Sequence, residues 1–187
     1  MTMRGRLISF AVVSNLALIL LCVSISGWNE AGAGAATRNT ARLAIVFFLL
    51  GFSSPGLRKW IHGWPEPSIP LHMFVAAQFV HFGAVALLHT AFANGGLQLG
   101  IPQVIVVIAG FALVAGVGWT AIPDPGKRLR TAIHTVLLHL IFLFLLADYS
   151  QHPVRPLRWM LVPLAIALGL RHLPKRKLTS GLSSTPS

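Results

Sequence analysis

Residues 71–93 read LHMFVAAQFVHFGAVALLHTAFA, an apolar run long enough for a helix to cross a bilayer. Within it stands His81, ten residues from the start of the run. A second long apolar run, residues 129–149, holds His134 near its beginning. An ionisable side chain within the hydrocarbon layer is costly and usually has a partner or a function. These two runs therefore set both the expected fold class and the search for a site.

The composition indicates a membrane protein. Of the 187 residues 55% are hydrophobic and 10% are charged, and four acidic residues stand against fifteen lysines and arginines. A net charge of +11 is also typical of nucleic-acid binding, but here the basic residues are scattered in short loops rather than gathered on a soluble module. We therefore expect no nucleic-acid partner and a membrane-lipid partner instead. The single cysteine, Cys22, excludes an internal disulfide and a cysteine-based metal site.

Six apolar runs predict an all-α membrane protein, a bundle of six transmembrane helices. They cover residues 7–26, 43–57, 71–93, 101–122, 129–149 and 157–170. The first run resembles a signal peptide but exceeds the roughly 7–15 residues of a signal core, so we expect it to be retained, with cleavage near Ala36 as the alternative. The chain divides into an N-terminal helix with an outer loop (1–36), a helical bundle (37–173) and a basic, then disordered tail (174–187).

The basic residues predict the orientation. With the N-terminus inside, eleven lysines and arginines fall in cytoplasmic segments and four fall outside. The positive-inside rule therefore favours both termini in the cytoplasm. The eleven are Arg4, Arg6, Arg58, Lys59, Lys127, Arg128, Arg130, Arg171, Lys175, Arg176 and Lys177, and the four are Arg38, Arg42, Arg155 and Arg158.

His81 and His134 are the candidate ligands of a haem iron. They enter the membrane from the same side, at nominal depths of about 15 Å and about 8 Å, so that modest tilt would bring them level. Histidines on two facing helices are what a buried haem needs as axial ligands. Hydrogen bonding to a neighbouring helix and proton relay stay open for both residues. Arg130, one turn before His134 on the same face, is a candidate partner for a haem propionate or a plain positive-inside anchor.

The other six histidines are weaker candidates. Four fall in loops or at span ends, where a solvated interfacial role is expected: His62, His72, His152 and His172. His89 and His139 are second-tier ligands, and His139 should face a different neighbour from His134. A second haem would need a deeper partner on the fifth span, where Ala147 cannot ligate iron. One haem is expected.

Several segments in order resemble the ferric reductase-like transmembrane domain, the haem-binding core of ferric reductases, NADPH oxidases and the haem subunit of the bacterial methionine sulfoxide reductase system. The resemblance extends over residues 38–173. It is carried by RNTAR at residues 38–42, SSPGLR at 53–58, AQFVHF at 77–82, GWT at 118–120 and LRTAIHTV at 129–136.

The resemblance implies a b-type haem that moves electrons, with His81 and His134 as its ligands on the third and fifth spans. Two departures oppose a second haem: Gln78 stands where several small bacterial members have an extra histidine, and Ala147 replaces a deeper histidine of multi-haem relatives. The flavin and nicotinamide domain of the full-length reductases is not found in the sequence. We therefore expect a separate flavoprotein or quinol as donor, and an electron-transfer subunit rather than a complete enzyme.

The expected location is the cell (inner) membrane, as a multi-pass protein of bacterial type. A haem-free membrane protein is the alternative, either an assembly factor or a small carrier whose histidines relay protons. A third possibility is a helical scaffold within a larger complex. Pigment content separates the first from the other two.

Overall fold

The structure, a computed structural model, describes residues 2–92, 101–121, 128–151 and 159–172. Within these ranges the fold is all-helical and contains no strand, as predicted. The six helices are Met3–Ser26 (α1), Glu30–Leu57 (α2), Ser68–Phe92 (α3), Ile101–Thr120 (α4), Arg128–Gln151 (α5) and Leu161–Arg171 (α6). The predicted tail, 174–187, and His152 lie outside the described residues, as does the side chain of His89.

The predicted outer loop before residue 37 is mostly helix, which corrects the sequence interpretation. α1 ends at Gly27, whose φ of 89° suits glycine, and α2 already begins at Glu30. The Asn29 side chain caps α2 by accepting a hydrogen bond from the Gly32 amide at 3.0 Å. The first turns of α2 are rich in alanine, which favours a helix without producing a strongly apolar run. The proposed division between residues 36 and 37 therefore falls inside a helix.

The second helix ends at Leu57, where the predicted run 43–57 ends, and it includes two serines and a proline in its last turns. Ser53 and Ser54 donate to the carbonyls of Leu49 and Leu50 at 2.7 and 2.6 Å, which satisfies both hydroxyls within the helix. Pro55 has no N–H and removes one donor from the last turn. The following loop returns to this turn, because the Trp64 indole donates to Ser54 Oγ at 3.0 Å.

Five helices form a closed ring in which each packs on the next. The pairs are α2–α3, α3–α4, α4–α5, α5–α6 and α6–α2, and α1 packs outside the ring on α2 and α3. α2 and α6 approach each other closely at Gly56, where an added Cβ would lie 1.5 Å from the Leu170 carbonyl oxygen. Because α3 and α5 are separated by α4 within the described ring, their side chains meet only across its interior.

Four helices are long and apolar enough to cross a membrane by length and composition, within the described residues: Met3–Ser26, Glu30–Leu57, Ser68–Phe92 and the Arg128–Ala147 part of α5. α6 has only 11 residues. Large apolar side chains remain exposed on the outside of the bundle, including Ile25 at 76%, Leu87 at 73% and Leu129 at 73%. Exposure of many large apolar side chains is typical of a surface covered by lipid or by a partner protein.

Candidate functional site

His81 is held by a threonine of the neighbouring helix. Its Nδ1 lies 3.0 Å from Thr40 Oγ1 on α2. The fully buried Thr40 hydroxyl directs its own proton to main-chain carbonyls of α2, at 2.9 Å for Ala36. The oxygen is then free to accept from the imidazole, which favours the tautomer with the proton on Nδ1 and the lone pair on Nε2. Nε2 of His81 is therefore the atom available to a metal or a proton donor.

His134 has the same arrangement on the opposite side of the ring. Its Nδ1 lies 2.8 Å from Thr120 Oγ1 on α4, and the Thr120 hydroxyl donates to the Gly116 carbonyl at 2.7 Å. The lone pair is again favoured on Nε2. Metal-ligating histidines usually have their second nitrogen fixed by such a hydrogen bond. Both predicted ligands therefore have the local chemistry that an axial ligand needs.

The surroundings of His134 are strongly cationic, unlike those of His81. Arg171, Arg130 and His72 all act electrostatically on the His134 ring. Arg171, at the end of α6, donates to the Phe52 carbonyl at 2.7 Å, and its guanidinium lies 4.4 Å from the centre of the Phe52 ring. In the sequence this arginine is counted only among the cytoplasmic basic residues. In the structure it is half-buried against the last turns of α2.

Arg130, the candidate propionate partner, is described in contact with Trp119. Its guanidinium donates to the Trp119 carbonyl and lies 4.9 Å from the indole centre. Both residues stand where α4 ends and α5 begins. The contact ties these two helices together beside His134. Trp119 is thus a partner of Arg130 that was not expected from the sequence, where only a haem propionate was considered as its partner.

His72, expected at the interface, lies near the start of α3 and has a side-chain partner on another helix. Arg4 of α1 lies 2.6 Å from its Nε2, and its Nδ1 contacts the Ser68 carbonyl. No local motif announces this pair, because the two residues are separated by more than sixty positions. Successive helices run in opposite directions, so α1, α3 and α5 all begin at the same end of the bundle. This could have suggested that Arg4 and His72, each near the start of its helix, lie close together.

The register of the ring does not place His81 and His134 at one level. Val75 faces Gly118 across α3–α4, and Leu137 faces Gly116 across α4–α5. These contacts put His134 level with the start of α3, close to His72. His81 then lies about eight residues deeper, which corresponds to about 12 Å along the axis. One iron held between two imidazoles requires the rings to come level, so helix tilt and side-chain reach would have to close this offset before the pair could share one haem.

Three other described histidines lie apart from the threonine-bonded pair. His139 faces a different neighbour from His134, as predicted: its ring lies 5.5 Å from that of Phe52 on α2, and its Nδ1 lies 2.7 Å from the Thr135 carbonyl. His62 and His172 are exposed, in line with an interfacial role. Across the described residues no group of three or more histidine, cysteine or acidic side chains is placed to hold a metal ion.

Comparisons with protein-family models, with characterised proteins and with solved structures find no match to this chain. The resemblance to the ferric reductase-like domain therefore depends on the quoted residues alone. In the part of the chain that the structure describes, the fold is all-helical, four helices are long and apolar enough to span a membrane, and threonines on α2 and α4 hold the imidazoles of His81 and His134.

Proposed function

We propose that the chain is a multi-pass protein of a bacterial inner membrane, with six spans and both termini in the cytoplasm. The four long apolar helices support membrane insertion, and α4 and α6 would complete the six spans. The orientation is supported by the excess of lysine and arginine at the end where α1, α3 and α5 begin.

We further propose that it is a b-type cytochrome that relays electrons from a separate flavoprotein or a quinol. The acceptor would be a metal ion, an oxidised side chain or another redox protein. Two observations support haem: the resemblance of residues 38–173 and the threonine-bonded imidazoles, which offer Nε2 on α3 and on α5. The observation that carries the proposal is this shared Nδ1 bonding of His81 and His134. The axial separation of about 12 Å between them argues against it.

That separation favours a second candidate function, a haem-free membrane protein. Two imidazoles at different depths, each bonded to a hydroxyl, suit proton relay or purely structural bonding as well as they suit ligation. In such a carrier or assembly factor His81 and His134 would act at separate places along the axis rather than on one group.

The optical spectrum of the purified protein decides between the two. The full chain is produced in haem-replete cells, and its haem is extracted and counted beside an iron determination. The cytochrome proposal expects one haem b per chain, a low-spin spectrum, and loss of pigment in the His81→Ala and His134→Ala variants. His62→Ala, which removes an exposed histidine, is the matched control and should keep full pigment.

A colourless, folded preparation would overturn the cytochrome proposal in favour of the haem-free one. Full haem loading in the His81→Ala, His134→Ala double variant would overturn the ligand assignment while leaving a haem protein. Loss of haem in Arg130→Gln, with retention in Arg6→Gln, would support the propionate role of Arg130.

A further inference from the structure

Positive and ionisable side chains from four helices gather at one end of the bundle. Arg4 begins α1, His72 lies in the first turns of α3, His134 in those of α5, and Arg171 ends α6. We call these four residues the Arg4 cluster. The cluster is joined by the 2.6 Å contact of Arg4 with His72 and by the electrostatic effect of His72 and Arg171 on His134.

The members of the Arg4 cluster are partly buried and held in place. Arg171 is fixed by the Phe52 carbonyl and ring, and that ring in turn contacts His139 of α5. Arg4 is fixed on the imidazole of His72. A solvated positive-inside arginine needs no such anchoring. Arg4 acts on the His72 ring and Arg171 on the His134 ring, so two positive groups approach one pair of imidazoles at reduced solvent exposure, which favours a bound anion.

The sequence supplies few carboxylates for this end. Of the four acidic residues, Glu30 begins α2 and Asp148 belongs to the last turns of α5, both at the opposite end. Glu66 lies in the α2–α3 loop, where it is exposed, and Asp124 lies outside the described residues. Among the described side chains no carboxylate is shown in contact with the Arg4 cluster, which leaves its counter-charge to an anion from outside these residues.

We propose that the Arg4 cluster is a binding site for a phosphate group at the membrane surface. Arginine forks match phosphate oxygens well, and a phosphate accepts donors from several directions at once, as the convergence of four helices requires. The group would belong either to an anionic lipid headgroup or to a soluble phosphorylated molecule, since helix ends at the bilayer surface are reached by both. The proposal does not depend on haem.

The test uses the full chain in a phosphate-free maltoside detergent. The thermal unfolding midpoint is followed against rising inorganic phosphate, and separately against short-chain phosphatidylglycerol, with chloride added to hold ionic strength constant. Arg171→Gln and Arg4→Gln remove cluster charges. Arg6→Gln is the matched control, because Arg6 is exposed on the same helix end and loses the same charge.

We expect a saturable rise of the midpoint in the wild type and in Arg6→Gln. At least one cluster variant should need a tenfold higher ligand concentration for the same effect. Saturation by inorganic phosphate with this variant pattern identifies a soluble phosphate source, and saturation by phosphatidylglycerol alone identifies a lipid. If Arg171→Gln fails to fold, Arg4→Gln decides. The proposal is overturned if neither ligand saturates, or if Arg6→Gln weakens binding as much as Arg4→Gln does.

Discussion

His81 and His134 share one local bond and differ in everything around it. Each Nδ1 meets a threonine hydroxyl on a neighbouring helix, at 3.0 Å for His81 and 2.8 Å for His134. His81 lies between α2 and α3, where its nearest ring is Phe82 at 5.6 Å. His134 lies among the positive charges of Arg130 and Arg171. Two histidines that look alike in the sequence therefore occupy a neutral and a cationic environment.

The difference shows that the environment of an intramembrane histidine is set by helix ends more than by the helix that carries it. His81 lies in mid-helix, where its described contacts are the Thr40 hydroxyl and the ring of Phe82. His134 lies near a terminus, where loop-flanking arginines of other helices converge. Variants that disturb one environment should leave the other intact.

Phe52→Ala should give the largest effect, and it should fall on the His134 side. Phe52 is fully buried and contacts Phe48, Phe142 and His139 as well as Arg171. We expect a loss of about 3–5 kcal/mol in the free energy of unfolding, the usual range for a buried phenylalanine. Thermal unfolding in detergent measures it. Phe10→Ala, which truncates a ring that is 58% exposed, should change little. Equal losses in the two variants would contradict the described packing.

Gly56→Ala tests the α2–α6 approach that places Arg171 beside Phe52. The added methyl would meet the Leu170 carbonyl at 1.5 Å, so the two helices must separate. A cost of about 1–3 kcal/mol is expected from overpacking. Gly169→Ala on α6 is the control, because the space around it is open and the substitution should be neutral or slightly stabilising. Thermal midpoints of the two variants should differ by several degrees, and coincident midpoints would rule out the close approach.

Thr40→Val and Thr120→Val sharpen the comparison by removing one hydroxyl from each imidazole. Each should cost about 1–2 kcal/mol, because a partly buried ring nitrogen loses its partner while the shape is kept. Thr135→Val provides the control, since its exposed hydroxyl bonds only to the Thr131 carbonyl of its own helix. If Thr135→Val loses as much stability as the other two variants, the hydroxyl–imidazole bonds make no specific contribution to the free energy of unfolding.

Trp119→Leu should give the smallest effect. The variant removes the indole beside Arg130 but keeps the main-chain carbonyl that Arg130 also contacts. Because Trp119 is 61% exposed, we expect less than about 1 kcal/mol from the lost cation–π contact. The thermal midpoint relative to Trp28→Leu, a change at another exposed indole, is the measurement. A loss comparable to that of Phe52→Ala would show that the contact is far more buried than described.

The long apolar helices could be predicted from the sequence to within a few residues. The run 71–93 became Ser68–Phe92 and 129–149 became Arg128–Gln151, because a bilayer rewards uninterrupted apolar stretches of one length. The first turns of α2 could not be found this way, since alanine and glycine favour or permit a helix without raising hydrophobicity. The partners of Arg171 and His72 could not be predicted either, because they depend on how helices distant in the sequence pack against each other.

The three-residue turn at Gly27 bears on whether the first helix is removed after insertion. Ala33 and Ala36 are buried against Cys22 and Val23, so the bond after Ala36 lies inside a folded helix pair. A protease acting there would first have to unwind the opening turns of α2. Its product would also lack Ala11, a member of the main core, and the guanidinium that holds His72. The N-terminal helix thus contributes apolar and polar contacts to the described bundle, and its removal would expose the faces of α2 and α3 on which it packs.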